Sequence, residues 1–273
     1  MLEIMLKEYF YRSQNTKIYY EKIDNNNLPI IFIHGFGVDN RMWKSQFYYF
    51  SDIFKTIRYD LRGFGKSISL GNEDYSHEDD LRSFLEYMGV KRAHLIGLSF
   101  GGTIAINFTL KYPEIVDKLV IADSGVDGYI YSKEYSNLFI TLSYLYQKNR
   151  SDLLQKKWLE LPHFQHTILN PELKKELIAM AGDYSFCSIR NSPILTVNTK
   201  AIDNLGKITN KTLILIGEYD LYDLHNNAKI MNKKIPNSKI EIIPDTGHMT
   251  NMENPDMFNK LVHEFLITHE NSN

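Results

Sequence analysis

The sequence predicts an α/β protein: a mainly parallel sheet flanked by helices and interrupted by a helical insertion. Three observations predict it. Short apolar runs such as Ile30-Ile31-Phe32-Ile33, of the kind buried on both faces of a parallel sheet, alternate with helical patterns up to about residue 125 and again after 205. Between 126 and 205 the alternation stops and helical segments follow one another. The strand ends carry a serine, an aspartate and a histidine, in that order along the chain.

Residues 7–12 and 17–23 are rich in Tyr, Phe and Ile and flank Ser13-Gln14-Asn15-Thr16, which reads as an opening hairpin or a pair of adjacent strands. Asn25-Asn26-Asn27 marks a loop, and Pro29 leads into the strand 30–33, which ends in His34-Gly35-Phe36-Gly37. Residues 43–50 make one or two apolar helical turns. Thr56-Ile57-Arg58-Tyr59 gives another strand, ending at Asp60-Leu61-Arg62-Gly63-Phe64-Gly65-Lys66-Ser67. Ser76 with Asp79 is a capping-box pattern ahead of a helix to about Met88. The run Ala93 to Ile96 then hands over, through Gly97-Leu98-Ser99-Phe100-Gly101, to a helix over 100–112 that stops before Pro113, and Lys118 to Ala122 is the next strand.

The insertion, 126–205, divides the chain into a core of residues 1–125 and 206–273 and a cap. Its predicted helices are 132–148, 151–161, 171–181 after Asn170-Pro171, and 185–204 broken at Pro193. The αβ pattern resumes with Thr212 to Ile216, a helix after Asp223, the strand Lys239 to Ile243, and a last helix opened by Asn254-Pro255. The tail from His269 to Asn273 is expected to fray.

Composition bounds the function. With 31 basic and 33 acidic residues the formal net charge is −2, which gives no electrostatic case for nucleic acid or an anionic membrane as partner. The first eight residues have no basic region and too short an apolar run for a signal peptide, and no other apolar run approaches a membrane span, so a cytoplasmic protein is expected. The single cysteine, Cys187, cannot form an intramolecular disulfide and reads as an inert thiol. No metal or organic cofactor is expected. His163 and His166 share a helix-compatible spacing, but no further ligands accompany them.

Glycine and serine content alone would produce a G-x-S-x-G match in roughly one such chain in twenty, so the context carries the argument. Here the serine stands at a strand-to-helix turn, where the absent glycine side chains relieve a crowded backbone and Ser99 projects its hydroxyl at the sheet edge. A serine hydroxyl is a poor nucleophile until a base takes its proton, and the base needs an acid to hold its tautomer. Asp220 follows the strand 212–216 and His248 follows the strand 239–243, both at the same predicted edge as Ser99. Asp123, after the preceding strand, is an alternative acid, and Asp223 lies close by.

With His34-Gly35-Phe36-Gly37, Asp60-x-Arg62-Gly63-x-Gly65-x-Ser67, the Ser99 turn, the Asp220 segment and Gly247-His248 in that order, the sequence resembles the α/β-hydrolase family over nearly its full length. The resemblance implies a Ser99-His248-Asp220 triad, an oxyanion hole from the backbone N–H groups of Phe36 and Phe100, loop shaping by His34, and bracing of a loop by Asp60 and Arg62. It also implies an acyl-enzyme mechanism on a small-molecule ester, thioester or lactone. Ser99 separates the chain from the dehalogenases and epoxide hydrolases of this fold, which carry an Asp nucleophile. Leu98 and Met249 stand where carbon–carbon bond hydrolases usually have Asn and Trp, and Phe100 stands where prolyl aminopeptidases usually have Trp.

The Gly-Leu-Ser beginning resembles carboxylesterases and enol-lactonases, so a 3-oxoadipate enol-lactonase-like hydrolase is one alternative. A triad-bearing small-molecule receptor that signals to a protein partner is another. The insertion is expected to lie over Ser99 as a lid. Its aromatics Tyr129, Tyr131, Phe139, Tyr144, Trp158 and Phe186 are expected to be mixed core and pocket lining, core more often than lining; Arg190 could hold a substrate carboxylate bidentately, but the favoured expectation is a solvated side chain. Oligomeric state is open.

Overall fold

A computed structural model describes residues 8–13, 15–70, 75–148, 150–182 and 200–268. The aromatic-rich opening segments form β1 (Tyr9–Arg12) and β2 (Thr16–Ile23), an antiparallel hairpin in register Tyr9 with Tyr20. β2 continues antiparallel onto β4 (Lys55–Tyr59), which runs parallel to β3 (Pro29–Ile33). A two-residue strand, β5 (Ile68–Ser69), which the sequence pattern did not announce, pairs with β2. Beyond β3 come β6 (Ala93–Leu98), β7 (Val116–Ala122), β8 (Lys211–Gly217) and β9 (Ser238–Ile243), all parallel. The order across the sheet is β1-β2-β4-β3-β6-β7-β8-β9.

Every residue of β3 and β6 is buried, as expected of strands covered on both faces. The parallel strands need crossovers, and helices supply them. These are α1 (Lys44–Ser51), α2 (His77–Tyr87), α3 (Phe100–Lys111) and α8 (Tyr222–Lys234); α10 (Pro255–Ile267) follows the last strand, β9. In α10, Phe258, Val262 and Leu266 recur at four-residue spacing and are buried, while the Asn254 side chain accepts from the Met257 N–H to cap the first turn. At α2 only half of the capping box forms: Ser76 accepts from the Asp79 N–H, while the Asp79 carboxylate turns to Lys111 and Tyr112.

Between β7 and β8 the chain forms α4 (Lys133–Gln147), α5 (Ser151–Leu159), α6 (Pro171–Gly182) and the short α7 (Ala201–Asn204). Pro162 and the caps around it break α5 from α6, leaving two 3-10 turns, Pro162–Phe164 and Thr167–Leu169, instead of one helix face. Most of the helix expected over 185–204, with Phe186, Cys187, Arg190 and Pro193, lies outside the described residues, as does the tail 269–273. No helix among the described residues is long and apolar enough to cross a membrane.

Candidate active site

β6 ends at Leu98 and α3 begins at Phe100, so Ser99 alone makes the turn, at φ 55° and ψ −118°. A non-glycine residue there costs about 1–3 kcal/mol, which the surroundings must offset. The Ser99 N–H donates to Ala122 O at 2.9 Å, and its carbonyl accepts from Gly102 N, Thr103 N and Ser124 Oγ. A side chain on Gly97 would meet the Gly101 backbone, and one on Gly101 would strike the carbonyl oxygens of Ile33 and His34. The glycines around Ser99 are thus required by backbone contact.

His248 Nε2 lies 2.9 Å from Ser99 Oγ, and its Nδ1 lies 3.1 Å from each Asp220 oxygen. An ionised carboxylate can only accept, so Nδ1 carries the proton and Nε2 accepts from the serine hydroxyl. The Leu221 N–H donates to Asp220 Oδ1 at 2.7 Å, fixing the carboxylate from behind. Asp123, the alternative acid, points elsewhere. It accepts from Gly217 N at 2.8 Å and from the Thr250 hydroxyl. Complete burial, followed by the nearby Asp220 charge, raises its pKa well above the usual carboxylate range. Asp223 joins the insertion to α8, accepting from Ser132 N, Ser132 Oγ and Tyr129 Oη.

Ser99 and His248 open onto a cavity of about 100 Å³. Its floor is Gly35, Phe36, Leu98, Phe100 and Met249, and its other walls come largely from the insertion: Tyr129, Tyr131, Tyr135, Phe139, Trp158, His163 and Phe164. Tyr131 stacks on Tyr135 at 4.3 Å between centroids, and Trp158 packs on Phe164 at the same separation. Tyr129, Tyr131, Phe139 and Trp158 line the cavity, Trp158 while also buried in the core, so among the described aromatics of the six the lining role is more frequent than expected. Tyr144 is exposed. Single-sequence periodicity marks a buried face but does not distinguish a packed core from the wall of a cavity.

Phe36 and Phe100, the expected oxyanion-hole residues, both border the cavity, and their rings meet edge-on at 6.1 Å. The strand-end segment before Phe36 lies against the turn: a methyl on Gly35 would sit 3.5 Å from Ser99 Cβ. His34 is buried with Nδ1 2.7 Å from Gly35 O and Nε2 accepting from Leu61 N at 2.9 Å, a loop-shaping arrangement; burial pulls its pKa down to about 4. Asp60 braces its loop through Asn40 N at 2.9 Å and Lys66 N at 2.8 Å, and burial followed by the Asp39 charge raises it to about 7. Arg62 reaches further than its own loop, pairing with Asp80 on α2 and lying 4.4 Å over the Tyr75 ring.

His163 and His166 diverge. The His163 ring meets His248 edge-on at 4.7 Å, with Nε2 3.3 Å from Tyr135 Oη and Nδ1 unpartnered among the described residues. Burial, then the neighbouring His248, pushes its pKa well below the ordinary value, so it stays neutral. His166 turns to Glu253, 2.7 Å from Oε2. Glu253, on the short α9 (Thr250–Glu253), escaped the sequence reading, where a carboxylate just before Asn254-Pro255 is indistinguishable from an ordinary loop or helix-end charge. Among the described residues no group of three or more His, Cys, Asp or Glu is arranged to hold a metal ion.

The sequence matches the family described as the alpha/beta hydrolase fold over residues 29–255, well over half of the chain. It is similar to the 2-hydroxy-6-oxononadienedioate/2-hydroxy-6-oxononatrienedioate hydrolase of Comamonas testosteroni, 25% identical over 262 residues, with 87% of each protein covered. Among solved structures it is similar to a thermophilic esterase from Thermogutta terrifontis, with TM-score 0.82 and 24% identity over 95% of this chain and 98% of that one. It is also similar to the enol-lactonase from Burkholderia xenovorans LB400, with TM-score 0.84 and 18% identity over 95% and 100%. The last two likenesses speak for the fold. The chain belongs to the α/β hydrolase fold family and is a hydrolase.

Proposed function

We propose that this hydrolase cleaves a small carboxylic ester, thioester or lactone through an acyl-enzyme on Ser99. The observation that carries this reading is the unbroken row from Ser99 Oγ through His248 to Asp220, at 2.9 and 3.1 Å, opening on an aromatic-walled cavity. His248 Nε2 takes the Ser99 proton as Oγ attacks the substrate carbonyl, and Asp220 stabilises the imidazolium that forms. The Phe36 and Phe100 N–H groups stabilise the oxyanion, each worth about 3 kcal/mol in the transition state. The tetrahedral intermediate collapses as His248 gives its proton to the leaving oxygen or sulfur. Water, deprotonated by the same imidazole, then releases the acid and restores Ser99. The insertion 126–205 serves as a lid that limits water and shapes the pocket.

The Comamonas relative is named for a dicarboxylate. Among the described residues lining the cavity there is no Lys or Arg to hold a carboxylate, and the apolar Leu98 and Met249 border it. The apolar border favours an ester or lactone with an apolar group beside Leu98 and Met249. Steady-state hydrolysis of p-nitrophenyl acyl esters from acetate to decanoate, beside simple lactones, tests the reading. Turnover in the wild type that disappears in Ser99→Ala is expected, with the best chain length reporting pocket size. Equal rates in both proteins on every substrate would sink it.

A further inference from the structure

The turn between α5 and α6 docks on the loop that carries His248, and the dock is built around a buried carboxylate. The Glu253 side chain is 3% exposed. Its Oε2 accepts from the Gly247 N–H and from His166 Nδ1 at 2.7 Å; its Oε1 accepts from Thr167 Oγ1 at 2.6 Å and from Met249 N at 3.3 Å. The two backbone donors flank His248 in sequence, and the two side-chain donors belong to the insertion. One carboxylate therefore spends its acceptor capacity joining the two segments, and leaving it half-satisfied while buried would be costly.

Two further contacts join the same pieces. A side chain on Gly247 would stand 2.7 Å from His166 Cβ, so the approach is close enough to need glycine. The His163 ring, three residues before His166, packs against the His248 imidazole itself. The turn thus touches the His248 loop at its backbone, through Glu253, and at its ring, through His163.

We infer that Glu253 is a positioning residue: it holds the backbone on both sides of His248 and ties that position to the seating of the insertion through His166 and Thr167. The inference rests on the proposed role of His248 as the base for Ser99. An imidazole displaced by about 1 Å loses its reach to the serine hydroxyl, and misplacement on that scale costs about a hundredfold in rate. The turn that walls the substrate cavity thereby also decides whether the base is in line.

The test uses the full chain and two readouts: kcat and KM for p-nitrophenyl acetate, and the downfield proton resonance of the His248 Nδ1–H bonded to Asp220, assigned by its loss in His248→Asn. Glu253→Ala is expected to lower kcat about a hundredfold with KM little changed, and to broaden or shift the resonance. The double variant His166→Ala/Thr167→Val, which leaves Glu253 and the His248 loop intact, is expected to do the same to a smaller extent. Adding it to Glu253→Ala should bring no further loss, because both act through one carboxylate. A resonance and kcat unchanged in His166→Ala/Thr167→Val, or losses that multiply, would overturn the inference. The double variant keeps the test decisive if Glu253→Ala does not fold. A wild type inert toward esters would count against the serine-hydrolase reading, and the resonance alone would then decide this one.

Discussion

On the sheet side of the cavity the backbone decides where each group stands: Ser99 is fixed by a one-residue turn at positive φ, and Asp220 and His248 by the ends of β8 and β9. On the insertion side, side chains decide: Tyr131 stacks on Tyr135, Trp158 packs on Phe164, and His163 meets His248 by ring contact. A backbone-built floor tolerates few replacements, since its positions are set by strand register and by the close approach of main chains. A side-chain-built wall can be repacked while the turn below it stays in place. Changes in the floor should therefore decide whether reaction occurs, and changes in the wall what is bound, except at His166 and Thr167, which reach the His248 loop through Glu253.

The sharpest contrast lies within the floor, between the two buried aspartates. Asp220→Asn should lower kcat for an ester substrate about 10⁴-fold by allowing the wrong His248 tautomer. Asp123→Asn, which alters a group bonded to Gly217 N and Thr250 rather than to His248, should leave most of kcat in place. The reverse ranking in steady-state kinetics would break the assignment of Asp220.

A smaller effect tests the backbone argument directly. Gly101→Ala places a methyl against the Ile33 and His34 carbonyl oxygens and should cost about 3 kcal/mol in urea unfolding. A neutral result would show that the turn can relax, contrary to the account of a rigid floor.

Smaller again is the pH dependence contributed by His34. Burial lowers its pKa from 6.5 to about 4. The unfolded chain therefore takes up a proton here as pH falls through 6.5, while the folded chain stays neutral until about 4. This site's contribution to stability is complete above 6.5 and is lost progressively between 6.5 and 4. Relative to His34→Gln, the wild type should lose about 1.4 kcal/mol between about pH 7.5 and about pH 5.5. The comparison with the variant removes the opposing contribution of Asp60, whose pKa is raised. Parallel pH profiles for the two proteins would contradict the neutral, buried state of His34.

The same division between floor and wall explains what the sequence disclosed. The parallel strands were legible because β3 and β6 are unbroken apolar runs, and the meeting of Ser99, Asp220 and His248 at one sheet edge because each follows a segment that reads as a strand. The short β5 was not, since two residues carry no periodicity. Which aspartate touches His248 was not: both follow strands, and only the side-chain direction in three dimensions sets Asp220 against Nδ1 and Asp123 against Gly217 N. In the insertion, helix α4 was readable from its pattern, but the contacts of His163 and Tyr135, and of Glu253 outside it, join segments far apart in the chain. Such contacts leave no local signal.

The central claim is that Ser99 becomes acylated during turnover. Acid quenching of the protein during hydrolysis of p-nitrophenyl butyrate, followed by intact and peptide mass spectrometry, tests it most directly. The account predicts a butyryl adduct on the peptide containing Ser99, formed in step with the p-nitrophenol burst and absent from Ser99→Ala. Sustained turnover with no adduct on that peptide, or turnover retained by Ser99→Ala, would contradict it.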